Sequence, residues 1–161
     1  MKLSWTSLKI SIAGARLSHL VQKDKIWDHG SMAEQARIIF YLVQKGIANG
    51  NIGALEKYLT EPCFKKLQKE VAEMIMRTEI FGIKEPMIKE LAVIEVSPAK
   101  NNKPDRFTAI IKGTAKNKNE ESFEDGTSEF SVQWSFVRRS DWWLLDGTKT
   151  RINSKNYKTI L

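Results

Sequence analysis

The stretch EFSVQWSFVRRSDWWLLDG, residues 129–147, decides how this chain is read. Its first half alternates without a slip. Successive side chains of a strand point to opposite sides, so Phe130, Val132, Trp134 and Phe136 share one face and Ser131, Gln133 and Ser135 the other. RRSD turns the chain and WWLLDG returns as a second strand. Period two sends Trp143 and Leu145 one way, Trp142 and Leu144 the other. Strands joined by a short turn pair antiparallel, so these rings form one apolar face that other elements must cover.

The same pattern extends upstream. RFTAIIKGTAK places Phe107, Ala109, Ile111, Gly113 and Ala115 on one face and Thr108, Ile110, Lys112 and Thr114 on the other. IKELAVIEVS reads as a further strand, and NKNEESFEDGT as a hairpin loop with its turn at Asp125-Gly126.

The first half of the chain has helical periodicity instead. A first helix is expected over residues 4–22, followed by the polar break KDKIWDHG. Ser31 and Glu34 have the spacing of a capping box opening a second helix. That helix runs to about Ala48, with Ala36, Ile39, Phe40, Val43 and Ile47 on one face, and NGNIG ends it. A short helix at Ala54–Tyr58 follows. Thr60 is the next N-cap, with Pro62 in a first turn that needs no N–H donor, and this helix reaches about Arg77. Helices followed by a run of strands make an α+β fold, with helices packed on the apolar face of an antiparallel sheet. The expected organisation is a helical extension at 1–28, an α+β domain at 29–149 and a basic tail at 150–161.

The rings of the opening stretch have two readings that can hold together. They form a core under helices 31–48 and 62–77. They also line an apolar cavity, because small residues on the neighbouring strand would leave room. The residues expected to line it are Phe40, Ala109, Ile111, Gly113, Phe130, Trp134, Phe136 and Trp143.

Composition narrows the chemistry. With 161 residues, 42% hydrophobic and 28% charged, the chain can bury an ordinary core without a metal or disulfide staple. Cys63 is its only cysteine, so no internal disulfide forms and no thiolate zinc site can be built. His19 and His29 lack the i,i+4 spacing of a helical metal pair. Neither a metal nor a cofactor is expected. The longest strong apolar run, Ile38 to Val43, is far short of the roughly 20 residues of a membrane span.

The net charge of +7 is unevenly placed. Lys2, Lys9, Arg16 and Lys23 fall in residues 1–23 with no acid among them, and Lys149, Arg151, Lys155 and Lys158 occupy an acid-free C-terminus. Such ends suit an anionic partner, or serve only solubility.

The first helix, SWTSLKISIAGARLSHLVQ, sharpens this. At 100° per residue, Trp5, Leu8 and Ile12 lie to one side, and Ile10, Leu17, Leu20 and Val21 to the other. Lys9 and Arg16 fall between the two groups, where their stems can snorkel. The helix can lie on an anionic bilayer through Trp5, Leu8, Lys9, Ile12, Arg16 and Leu20. It can equally pack on the body of the domain or on a second copy in a homodimer.

Phe130, Trp134, Phe136 and Arg138, followed by Trp143, Leu145 and Asp146, set out an F-x-x-x-W-x-F-x-R strand, a short turn and W-x-L-D. With Gly50, Leu55 and LTEP at Leu59–Pro62 upstream, this pattern resembles the Tim-forty-four-like family over about residues 28–148. That family comprises the C-terminal domain of the mitochondrial inner-membrane import-motor anchor, a mitochondrial ribosomal large-subunit relative and bacterial homologues. The resemblance implies a cystatin-like, nuclear-transport-factor-two-like cone. It also implies a non-enzymatic adaptor, peripheral to an inner membrane on its cytoplasmic or matrix side. These 161 residues hold neither the long chaperone-recruiting region nor the upstream membrane span of some relatives, so chaperone tethering is not among the roles expected of them.

The expected partners are therefore an anionic membrane surface, an unidentified protein and an apolar ligand in the cavity. Two other functions have their own requirements. A small cavity enzyme would need a general acid or base on the inner face, and Asp146 is its best candidate. A nucleic-acid or ribosome-associated factor would need aromatics interleaved with cations on one exposed face, and Lys112 and Lys116 are too sparse. Arg138 and Arg139 begin a turn and are expected to be solvated, or to pair with Asp141 or Asp146.

Overall fold

A computed structural model describes residues 4–76, 84–116 and 127–151. Among the described residues, three helices precede four strands, which confirms the α+β class. They are α1 (Trp5–Lys23), α2 (His29–Asn49) and α3 (Glu61–Met76), with short 3-10 turns at Lys25–Trp27 and Gly53–Tyr58. The strands are β1 (Lys84–Ser97), β2 (Arg106–Lys116), β3 (Thr127–Arg139) and β4 (Trp142–Arg151). They form one antiparallel sheet in the order β1-β2-β3-β4.

Register follows the alternation of the sequence. Phe107 faces Phe136, Ala109 faces Trp134, and Gly113 faces Phe130 across β2 and β3. Register shifts interrupt β1 at three places and the β3–β4 pair between Ser135 and Phe136. Bulges of this kind bend a strand and increase its twist.

The apolar face of the sheet is covered by α2. Met32, Ala36, Ile39, Phe40, Val43 and Ile47 are fully buried along one side of that helix. Phe40 stacks on Phe130 with ring centroids 5.6 Å apart and meets Trp134 at 5.2 Å. Trp143 stands edge-on to Phe107 at 4.7 Å and to Trp27 at 5.3 Å. Trp143 and Leu145 go into this core, Leu144 is buried on the other side, and Trp142 is exposed.

The helix ends differ in detail from their sequence reading. The second helix starts at His29, before Ser31, because Asp28 is the cap: its carboxylate accepts from the Ser31 N–H at 2.9 Å. Glu34 is not a capping partner and instead lies 3.8 Å from Arg37. Gly50 ends α2 at φ +69°, a left-handed conformation that suits glycine, and the Asn51 N–H closes the turn on the Gly46 carbonyl. Thr60 precedes α3 as expected, but its hydroxyl goes to Asp146.

Within the segment expected as an extension, α1 and the Lys25–Trp27 turn pack on the domain. Ala13, Leu17 and Trp27 belong to the same buried cluster as the sheet aromatics. β4 continues through Arg151, into the segment expected as tail. The Asp125-Gly126 turn, Arg77 and the cations Lys2, Lys155 and Lys158 lie outside the described residues.

Candidate functional site

Ser4 caps α1 by accepting the Ser7 N–H at 3.1 Å. The helix then runs against β1 and divides its apolar residues between two environments. Ala13 and Leu17 are buried, with Leu20 and Val21 packed half-buried beside them. The other group is left out: Trp5 is 71% exposed, Leu8 43% and Ile12 53%. These three sit at i, i+3 and i+7, which is one helical stripe. Lys9 Nζ lies 5.9 Å from the Trp5 ring centroid, within cation–π range.

The six residues expected to meet lipid therefore separate. Trp5, Leu8, Lys9 and Ile12 stand together on or beside the outward stripe. Arg16 is anchored at the boundary, where its Nη1 donates to the Val96 carbonyl of β1 at 2.9 Å. Leu20 packs inward against the core.

Between α1 and β1 runs a groove of about 200 Å³. Lys9, Ile12, Ala13 and Arg16 form its helix side, and Ile94, Glu95 and Val96 its strand side. Nothing in the sequence marks this pairing, because it depends on which strand α1 lies along.

The eight residues expected to line an inner cavity are brought together, and they pack on one another. Ala109, Ile111, Phe136 and Trp143 are fully buried, as is Phe40, and Phe130 and Trp134 are nearly so. Gly113 does not leave room. A Cβ placed there would lie 2.0 Å from the Met87 carbonyl oxygen and 2.8 Å from the Phe130 ring. Glycine is there because the bent start of β1 passes directly over it.

Asp146, Arg138 and Cys63 have structural surroundings. Asp146 accepts the Thr60 hydroxyl at 2.9 Å and Arg106 Nη2 at 2.7 Å, which joins the start of α3 to the sheet. Arg138 pairs with neither Asp141 nor Asp146. Its Nη1 contacts Asp24 at 2.5 Å and Asp105 at 3.1 Å, and its Nε donates to the Ser140 carbonyl at 2.7 Å. That contact, together with the Ile26 N–H, holds the Asp24 carboxyl below its ordinary pKa. The Cys63 thiol is pushed up to about 12 by burial and then by the Asp146 charge, so it is not a nucleophile at neutral pH. His19 and His29 are exposed, and the described residues contain no His, Cys, Asp and Glu cluster that could hold a metal.

Among the described residues, no helix is long and apolar enough to cross a membrane. No family model matches the chain, and no curated protein sequence matches it. Among solved structures, the chain is similar to the intermembrane space region of the chloroplast protein ARC6. The identity is 14%, the TM-score 0.49, and the match covers 75% of this chain and 97% of that one.

Proposed function

We propose that this protein is a non-enzymatic peripheral membrane adaptor of Tim-forty-four-like type. In this reading α1 lies on an anionic bilayer, and the α+β domain presents a surface to a partner protein. The observation that carries the proposal is the exposed Trp5, Leu8 and Ile12 stripe on a helix whose opposite side is fixed to the body. The sequence around the stripe is basic, with no acid before Asp24. Each Lys or Arg near an anionic surface adds about 1 kcal/mol of attraction, and the apolar stripe would enter the headgroup boundary. The membrane would be an inner membrane, approached from its cytoplasmic or matrix side.

The test is vesicle co-sedimentation of the full chain, with cardiolipin-containing and neutral vesicles at two salt concentrations. Wild type binds the anionic vesicles, and more weakly at high salt. The triple variant Trp5→Ser, Leu8→Ser, Ile12→Ser keeps its melting temperature and loses binding. A wild type that binds neither vesicle sinks the reading. Salt-sensitive retention on RNA in its place would move the assignment to a nucleic-acid factor.

A further inference from the structure

We infer that the groove between α1 and β1 takes one acyl chain of an anionic membrane lipid, with the headgroup held at Lys9 and Arg16. The inference rests on the bilayer reading above and names the lipid chemistry that the site selects.

Three features of the groove support it. Its walls are apolar where the chain would lie: Ile12 and Ala13 on the helix, Ile94 and Val96 on the strand. Ile12 both lines the groove and belongs to the exposed stripe, so the groove opens on the side that meets the bilayer. The helix side carries two cations one turn to either side of Ile12, and Arg16 is held in place by the Val96 carbonyl. A fixed guanidinium is suited to phosphate recognition. Among the described residues, Glu95 is the single acid lining the groove and lies on the strand side, so an anionic head is favoured toward the helix. An acyl chain is the occupant that matches a narrow apolar slot with cations at its mouth.

The probe is decyl phosphate below its micellar concentration, titrated into the full chain by calorimetry, with decyl maltoside as the neutral control. One molecule binds per chain, saturably. Shortening the alkyl chain by one methylene weakens binding about fourfold, the equivalent of about 0.8 kcal/mol per buried CH₂. Lys9→Gln weakens decyl phosphate several-fold. Glu95→Lys, an exposed change that leaves the core alone, tightens it several-fold. No saturable binding, or equal binding of decyl maltoside unaffected by either variant, overturns the groove.

Vesicle binding without decyl phosphate binding leaves the peripheral adaptor standing and removes the groove. Decyl phosphate binding without vesicle binding removes the bilayer reading, and with it the lipid source named here.

Discussion

Arg138 reaches Asp24 across 114 residues of sequence, Nη1 to Oδ2 at 2.5 Å. The same guanidinium contacts Asp105 in the β1–β2 hairpin and the Ser140 carbonyl in the β3–β4 turn. Asp24 is the C-terminal cap of α1 and also accepts the Ile26 N–H. One side chain thus ties the end of α1 to two turns at the same end of the sheet. An exposed pair contributes little alone, but here several partly buried bonds share one arginine.

Arg138→Ala should lower the melting temperature by roughly 3–8 °C, the range that loss of charged hydrogen bonds produces in a chain of this size. Asp24→Asn should lower it less, and the two changes should not add, because they remove the same contact. The pH dependence follows from the depressed folded pKa of Asp24. Its contribution is complete above the unfolded value of about 3.9 and is lost as pH falls through the lower folded value. The gap between wild type and Asp24→Asn should therefore hold from pH 7 to about 5 and close in stronger acid. Thermal melts across that range check it, and a gap that widens on acidification would refute the pairing.

Gly113→Ala and Gly147→Ala should have opposite effects. A Cβ at Gly113 meets the Met87 backbone at 2.0 Å, whereas nothing lies within 4 Å of one at Gly147. Overpacking against backbone costs about 1–3 kcal/mol or more, since no flexible side chain can yield. Replacing glycine in a strand with open space around it gains up to about 1 kcal/mol. Urea denaturation of both variants decides whether Gly113 is held by β1, and a neutral Gly113→Ala would show that it is not.

The faces of the sheet were legible because large apolar residues alternate strictly with Ser and Gln from Phe130 to Phe136 on β3, and β2 keeps the same period apart from the buried Ile110 on its other face. The buried side of α2 was legible for the same reason, with period 3.6. What escaped depended on contacts between distant segments. Gly113 read as spare space because the strand that crosses it is bent by bulges that no local pattern records. Arg138 read as a solvated turn residue because its partners Asp24 and Asp105 lie in other connections. On α1 both apolar groups were visible, but only the docked helix shows that Leu17 and Leu20 face inward while Trp5 and Leu8 stay out. The Ser31–Glu34 spacing misled because Asp28, a stronger cap, precedes it by one turn.

Leu17→Ala and Leu8→Ala should separate the two sides of α1. Leu17 is 4% exposed within the core cluster, and truncating it should cost about 2–4 kcal/mol. Leu8 is 43% exposed, and its truncation should change stability by less than about 0.5 kcal/mol. Vesicle affinity should show the reverse order, with Leu8→Ala weaker and folded Leu17→Ala near wild type. Equal loss of stability from both would mean that Leu8 is packed, and would leave the stripe without one of its two aliphatic members.

Cys63 reports on whether the start of α3 stays closed. Its thiol is buried on the helix turn that Thr60 and Asp146 fasten to β4, and its pKa is pushed up to about 12. At pH 8 the native thiolate fraction is therefore roughly 10⁴-fold below unity, and only opening of α3 would restore ordinary reactivity. Ellman's reagent should label the native protein at least about a hundredfold more slowly than the urea-unfolded chain. Thr60→Val leaves the Asp146 carboxylate without one donor and should speed native labelling through more frequent local opening. Rapid labelling of the wild type would place α3 away from the sheet and remove the structural role assigned to Asp146.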